Sequence, residues 1–167
     1  MTDTQSDTLL PTVCEYAGAV LRTRVLRMVS HVDEVRRGED TEPLHQMRVW
    51  SRRSRAALDM FAACFPGKDF KIFAREVKSV TVALGAAREL DVMITTLENR
   101  ASELPPAQRT GVQRYIEQLK RRRQAKQKAV ERAMAHLQRI DLPGALELLL
   151  QQQRIILPPD RTDSGER

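Results

Sequence analysis

The stretch DFKIFAREVKSVTVALGAARELDVMITTLENRAS, residues 69–102, has the apolar spacing of one long α-helix. Its apolar residues recur every three or four positions, which places their side chains on one face of a helix. The predicted core stripe consists of Phe70, Phe73, Val77, Val80, Leu84 and Ile94. A glycine inside this helix, Gly85, costs about 1 kcal/mol relative to alanine, which indicates close packing or the approach of a ligand there.

Four more helices are predicted around this one, because each apolar-periodic stretch ends at a glycine or a proline. The predicted helices are residues 8–37, 43–65, 107–140 and 145–156. Long helices joined by short connections favour an antiparallel bundle. The composition agrees, since helix-forming residues predominate and aromatic residues make up only 4%. The predicted fold class is all-α, with one domain over residues 1–157 and a polar, disordered tail over 158–167.

The charge balance favours an anionic partner. The 167 residues include 28 lysines and arginines against 22 aspartates and glutamates, a formal net charge of +6. The N-terminal residues lack the pattern of a signal peptide, and no apolar run approaches the roughly 20 residues of a membrane span. Cys14 and Cys64 are far apart in the sequence and too few for a disulfide framework, so they predict free or buried thiols in a reducing compartment. The expected location is therefore the cytoplasm, without a membrane partner.

The second predicted helix carries a row of cations, since residues 44–55 read LHQMRVWSRRSR. At about 100° per residue, the row falls within an arc of roughly 80° and consists of His45, Arg48, Arg52 and Arg55. Arg53 lies outside the row, beside His45, and is a further candidate for binding the same ligand. The opposing apolar face consists of Met47, Trp50, Ala57, Leu58 and Phe61.

No aspartate or glutamate occurs between His45 and Ala57. One interpretation is a basic face that water solvates. The other is a ligand that supplies the counter-charge, because unpaired like charges on one helix face repel each other. Phosphate oxygens suit such a row, since arginine can donate two parallel charge-assisted hydrogen bonds to them.

Two segments resemble the signatures of the CHAD family, the conserved histidine α-helical domain. LHQMRV at 44–49 with RRSRAAL at 52–58 is similar to the first, and LGAARELDV at 84–92 is similar to the second. The resemblance implies a helical bundle with a basic cavity that binds inorganic polyphosphate. Glu89 replaces the usual aspartate, and Ser54 stands where the family favours leucine.

The family domain commonly contains two related helical bundles, whereas the resemblance here covers mainly the first, over residues 1 to about 140. It implies either an open, shallow cavity or a homodimer in which two chains complete it. The strand-rich barrel that processes triphosphates in some family members has no counterpart in the sequence.

Further cations are candidates for the same ligand. Lys78 shares a helix face with Lys71 and Arg75 and lies nearest to Arg88. Arg88 and Asp91 form either an intrahelical ion pair or, as the resemblance implies, a pair in which Arg88 faces phosphate while Asp91 orients it or a neighbouring arginine. On the predicted helix 107–140, three cations share a face at intervals of seven residues: Arg114, Arg121 and Lys128. Residues 120–128 of this helix form a dense basic run, and the sequence leaves open which of its cations contact phosphate.

The sequence leaves three functions open, and none of them requires a cofactor. Non-catalytic binding of polyphosphate is favoured, because the basic row has no paired acids, nucleophile–base pair or phosphate-binding loop beside it. Binding to the nucleic-acid backbone is the second, although Trp50, Tyr16 and Tyr115 do not alternate with the cations as a stacking platform would. The third is histidine phosphotransfer through His45. The three histidines lack metal-ligand spacing, so no metal site is predicted.

Overall fold

The computed structural model describes residues 6–153, and side chains from residue 13 onward. This part of the chain contains six α-helices and one 3₁₀ turn, and it has no β-strand. The helices are α1 (Ser6–Val29), α2 (Val32–Arg37), α3 (Glu42–Met60), α4 (Lys68–Glu103), α5 (Pro106–Ile140) and α6 (Leu142–Gln152), with the turn at Ala62–Cys64. The predicted all-α fold is confirmed. The tail predicted for residues 158–167 lies outside the described residues.

The long helices pack side by side as a bundle. Helix α3 packs on α1 and α4, α4 packs on α5, and α2 closes the arrangement by contacting both α3 and α5. Helix α6 folds back onto α1 and α4. The predicted stripe of α4 faces the core, with Phe70, Phe73, Val77, Val80 and Leu84 buried and Ile94 partly buried. No helix in the described range is long and apolar enough to cross a membrane.

Three helix boundaries differ from the prediction. The first predicted helix is interrupted by a turn at Ser30 and His31, which separates α1 from α2 and allows Met28 and Val32 both to be buried. Helix α3 ends at Met60, because the chain tightens into the 3₁₀ turn before Pro66.

Helix α6 begins upstream of the Pro143-Gly144 pair that was predicted to precede it. Pro143 lies in the first turn, where its missing N–H has no intrahelical partner to lose. The side chain of Asp141 caps this end by accepting a hydrogen bond from the Gly144 amide. The predicted end of this helix at Ile156 lies outside the described residues.

The two cysteines form a disulfide, so the prediction of free thiols was wrong. Cys14 on α1 and Cys64 in the 3₁₀ turn are 50 residues apart in sequence, yet their Cα atoms are 5.3 Å apart. Packing of α1 against α3 and the turn that follows it brings the two together. Sequence separation alone could not reveal this proximity, because it depends on how the helices pack.

Candidate functional site

The cation row of α3 lies along one edge of the helix's buried face. The buried residues of α3 are Leu44, Met47, Ser51, Ser54, Ala57 and Leu58. His45, Arg48 and Arg55 are partly buried next to this face, and Arg52 is exposed. The helical spacing predicted from the sequence therefore places these four cations beside the boundary between α3 and its neighbours.

Arg48 reaches across to α4 at the position of Gly85. A Cβ atom built on Gly85 would lie 3.0 Å from Arg48 Nη1, and no other atom outside the local helix backbone lies within 4 Å of it. Gly85 is buried, and its lack of a side chain leaves room for the guanidinium group against the backbone of α4. The glycine predicted to permit a close approach does so, and the group that approaches is a candidate binding residue.

An open groove of about 660 Å³ continues from this point between α3 and α4. His45 and Arg48 line it from α3, and Arg88 lines it from α4. The remaining lining residues come from α4 and are Glu89, Val92, Met93, Thr96 and Leu97. The two segments that resemble family signatures thus meet in one groove, with three predicted site residues on its walls.

Lys78 lies farther along the same pair of helices. A seven-residue connection joins α3 to α4, so the two packed helices run antiparallel. With Arg48 opposite Gly85, Arg55 is two turns later on α3 and Lys78 two turns earlier on α4, which puts them at about the same level. The cations His45 through Arg55 and Lys78 therefore follow one boundary between two helices.

These cations have no acidic partner within residues 13–153. The side chains of the following residues form no ion pair and no hydrogen bond with any described residue: His45, Arg48, Arg52, Arg55, Lys78 and Arg88. Some cations elsewhere on the molecule are paired, as Arg22 is with Glu147 and Lys120 with Glu98. The boundary between α3 and α4 is therefore a concentration of positive charge without ion pairs, and Glu89 is the one acidic residue among those that line the groove.

Arg53 is directed away from the row. Its guanidinium carbon lies 4.8 Å from the centre of the Trp50 ring, a cation–π contact on the other flank of α3. Its carbonyl oxygen accepts a hydrogen bond from Arg24 on α1. Trp50 is only partly buried and packs at the margin of the core. Arg53 thus lies apart from the groove that holds Arg48.

The three predicted cations of α5 are exposed on its outer side. The buried stripe of α5 consists of Ile116, Leu119, Val130, Met134 and Leu137. On a helical wheel Arg114, Arg121 and Lys128 lie roughly 120–160° from Ile116. Among the described residues none of the three has an ion pair, so they form a second basic surface, separate from the groove.

Lys120 is already compensated. Its ammonium group lies 2.9 Å from Glu98 Oε1 and 3.7 Å from Glu117 Oε1. The hydrogen bond and the charge of Glu98 raise the pKa of Lys120 above its ordinary value, with a smaller effect from Glu117. This lysine therefore belongs to a salt-bridge cluster of α4 and α5.

Asp91 is paired with Arg123 of α5, which was not among the predicted site residues. Arg123 Nε donates to Asp91 Oδ1 at 2.6 Å, and Arg123 Nη1 donates to Gln127 Oε1 at 3.0 Å. Gln127 in turn donates to the carbonyl oxygen of Val35 on α2. The intrahelical pair of Arg88 with Asp91 is absent among the described contacts, and the alternative, that Asp91 orients a neighbouring arginine, fits the structure.

A signal for Arg123 was present in the sequence. Ile116, Val130 and Leu137 are buried and lie seven or fourteen residues apart, and Arg123 occupies the missing position of that series. A charged residue within an apolar stripe needs a buried partner, because an unpaired buried charge is strongly unfavourable. Asp91 is that partner, and only 5% of it is exposed. Its Oδ2 atom has no hydrogen bond to any described residue.

The other histidines have local partners. His136 Nε2 lies 2.8 Å from Glu76 Oε2, and His31 Nδ1 lies 3.6 Å from Glu34 Oε2. The described residues contain no group of three or more histidine, cysteine, aspartate or glutamate side chains that could hold a metal ion. Each of these two histidines therefore lies beside the carboxylate of a glutamate.

Comparison with known proteins identifies a family. Searches of curated proteins and of solved structures gave no match. The family model described as CHAD domain matches residues 19–165, which is most of the chain. The match starts later and ends later than the region 1 to about 140 suggested by the motifs. Because it covers well over half of the sequence, this protein belongs to the CHAD domain family.

Proposed function

We propose that this protein binds inorganic polyphosphate, without turnover, along the boundary between α3 and α4. The observation that carries the proposal is the set of cations there that lack acidic partners among the described residues, with Arg48 held against Gly85. Membership of a family associated with polyphosphate binding supports the same ligand.

The shape of the cation row favours a linear polyanion over a single small anion. Ten residues separate His45 from Arg55, which corresponds to about 15 Å along a helix. Arg48, Arg52 and Arg55 would each donate charge-assisted hydrogen bonds to successive phosphate groups, and Arg88 would contact the same chain from α4. Release of counterions from the polyanion would contribute to affinity and make binding weaken as salt increases.

Binding without reaction is part of the proposal. The groove presents guanidinium groups, one imidazole and the single carboxylate of Glu89. Such a set binds and neutralises phosphate oxygens. The test is phosphate release from long-chain polyphosphate, which should stay at the background rate at every protein concentration. Release that rises with protein and disappears in Arg48→Ala would contradict the proposal.

Binding to nucleic acid is the second candidate, because a phosphodiester backbone offers the same repeated negative charge. The groove favours polyphosphate, since no tryptophan, tyrosine or phenylalanine lines its walls as a platform on which bases could stack. Titrations with long-chain polyphosphate, single-stranded DNA and heparin at several salt concentrations separate the candidates. We expect the tightest binding with polyphosphate at matched charge concentration, and a preference for DNA would overturn the assignment.

A pair of triple variants tests the location of the site. Arg48→Ala, Arg52→Ala and Arg55→Ala together remove the α3 row and should weaken polyphosphate binding by at least about 100-fold. The matched control removes three cations from the outer side of α5 by replacing Arg114, Arg121 and Lys128 with alanine. This control should change affinity far less, although both variants lose the same net charge. Equal losses would show that total charge, and not the groove, determines binding.

We also propose three broader features. The chain forms a homodimer that extends the basic surface, which light scattering with and without polyphosphate would test. Residues 1–157 fold as one domain, which limited proteolysis would test. The protein resides in the cytoplasm, near polyphosphate granules. A disulfide such as Cys14–Cys64 is rare in cytosolic proteins, so fractionation of cells would test the location.

A further inference from the structure

The groove between α3 and α4 contains an apolar strip that an inorganic polyanion leaves uncovered. Val92 is 49% exposed and Met93 is 44% exposed, and Leu97 continues the strip one turn farther along α4. Polyphosphate has no apolar surface with which to cover these side chains. The strip begins one turn after Arg88, so cations and exposed apolar groups occupy the same groove.

From this combination we infer a protein ligand: an acidic amphipathic helix of a partner, which docks in the groove and competes with polyphosphate. A helix that lies between two helices presents residues three and four apart to the groove. Its apolar face would cover Val92, Met93 and Leu97. Acidic residues on its flank would pair with His45, Arg48 and Arg88, which lack acidic partners among the described residues.

Charge complementarity selects an acidic partner over a second copy of this chain. In a two-fold dimer centred on the groove, the second copy would bring the same cation row to it, and like charges facing each other are unfavourable. The distance from Arg88 to Leu97 is about 14 Å along α4, which two to three turns of a docked helix would cover. Glu89 lies in the groove as well, and it favours a neutral or basic residue at the facing position of the partner.

A second groove provides an internal comparison. It lies between α4 and α6, has a volume of about 320 Å³, and is lined by Ile72 and Leu148, both exposed. Asp69 and Glu76 also line it, so its charge is opposite to that of the groove at Arg48. An acidic helix should therefore discriminate between two apolar grooves on one molecule by charge.

The probe for the test is a synthetic, helix-stapled peptide of about three turns, with leucines on one face and glutamates on both flanks. A peptide of the same composition in scrambled order is the control ligand. We expect the ordered peptide to bind the full-length protein and long-chain polyphosphate to displace it, both followed by fluorescence anisotropy. Equal binding of the scrambled peptide would overturn the inference, because net charge alone would then explain the interaction.

Variants of the strip separate this inference from the proposed function. Val92→Gln with Met93→Gln keeps helix-forming residues and should weaken peptide binding about tenfold, while polyphosphate affinity stays within about twofold. Val82→Gln replaces another exposed valine of α4, outside the groove, and should change neither. Arg48→Ala should weaken the binding of both the peptide and polyphosphate.

Two results for the Val92 and Met93 variant would oppose the inference directly: an unchanged peptide affinity, or a loss of polyphosphate affinity equal to the loss of peptide affinity. Conversion of a dimer to a monomer by that variant would also oppose it, because the strip would then contact a second copy of the chain. Failure of polyphosphate to bind the wild-type protein would refute the proposed function and leave the peptide result standing.

Discussion

Replacing Gly85 with alanine should stabilise the fold and weaken ligand binding at the same time. Gly85 has an ordinary helical backbone in the middle of α4, so alanine fits its conformation. The added Cβ would lie 3.0 Å from Arg48 Nη1. Ordinary contacts are about 3.5–4.0 Å, so the guanidinium group must move by about 0.5–1 Å. It is the end of a flexible side chain and can do so.

Stability and affinity change in opposite directions because they have different causes. Stability rises through the helix propensity of residue 85, and affinity falls because the Arg48 side chain is displaced. Alanine inside a helix is about 0.8–1 kcal/mol more favourable than glycine, and the shift of the Arg48 side chain costs about 0.5 kcal/mol. The free energy of unfolding should therefore rise by about 0.5 kcal/mol. A charge-assisted hydrogen bond contributes about 1.5–3 kcal/mol. A displaced Arg48 should lose about 1 kcal/mol of this, which raises the Kd for polyphosphate about fivefold.

The assay combines urea unfolding, followed by circular dichroism, with a polyphosphate titration of the same preparations. Ala86→Gly is the matched control, because residue 86 is the exposed neighbour of Gly85 on α4. This control should lower the free energy of unfolding by about 1 kcal/mol and leave affinity unchanged. The comparison separates the effect of helix propensity in α4 from the effect of displacing the Arg48 side chain.

A double-mutant cycle decides whether Gly85 acts through Arg48. In the Arg48→Ala background, Gly85→Ala should have no further effect on affinity, since the displaced group is gone. A fivefold loss that persists in that background would refute the reasoning. A fall in the free energy of unfolding of the single variant would also refute it, because the contact would then be too rigid to adjust.

Three further predictions concern stability. Cys14→Ser should lower the free energy of unfolding in oxidising buffer by ~4 kcal/mol, which is the chain-entropy value for a loop of 50 residues. If the variant and the wild type had the same unfolding midpoint, the disulfide would be contradicted. Ser54→Ala should raise the free energy of unfolding by about 1 kcal/mol in urea denaturation, because the Ser54 hydroxyl is buried without a partner among the described residues; a loss of stability would indicate that the hydroxyl is hydrogen-bonded. Asp91→Ala should lower the free energy of unfolding by about 3–5 kcal/mol, because it leaves Arg123 without its ion-pair partner. The double variant Asp91→Leu with Arg123→Leu should recover much of that loss in the same assay. A double variant as unstable as Asp91→Ala would show that the ion pair itself stabilises the bundle.

The amino-acid sequence alone predicted the long helices, apart from the turn that divides the first, and the cation row. The apolar stripe of α4, from Phe70 to Leu84, is buried as its spacing predicts. His45, Arg48, Arg52 and Arg55 share one edge of α3 for the same reason. Both features depend on the 3.6-residue period of a single helix, which is a local property that a linear sequence contains.

Only the tertiary structure determined which distant residues meet. Arg48 against Gly85, Arg123 with Asp91, and Cys14 with Cys64 each join different elements, and the last pair is separated by 50 residues. The turn at Ser30 belongs to the same class, since no glycine or proline marks it and packing of Met28 and Val32 accompanies it. Such contacts depend on the register and crossing of packed helices, which arise from the sum of many side-chain contacts across the whole core.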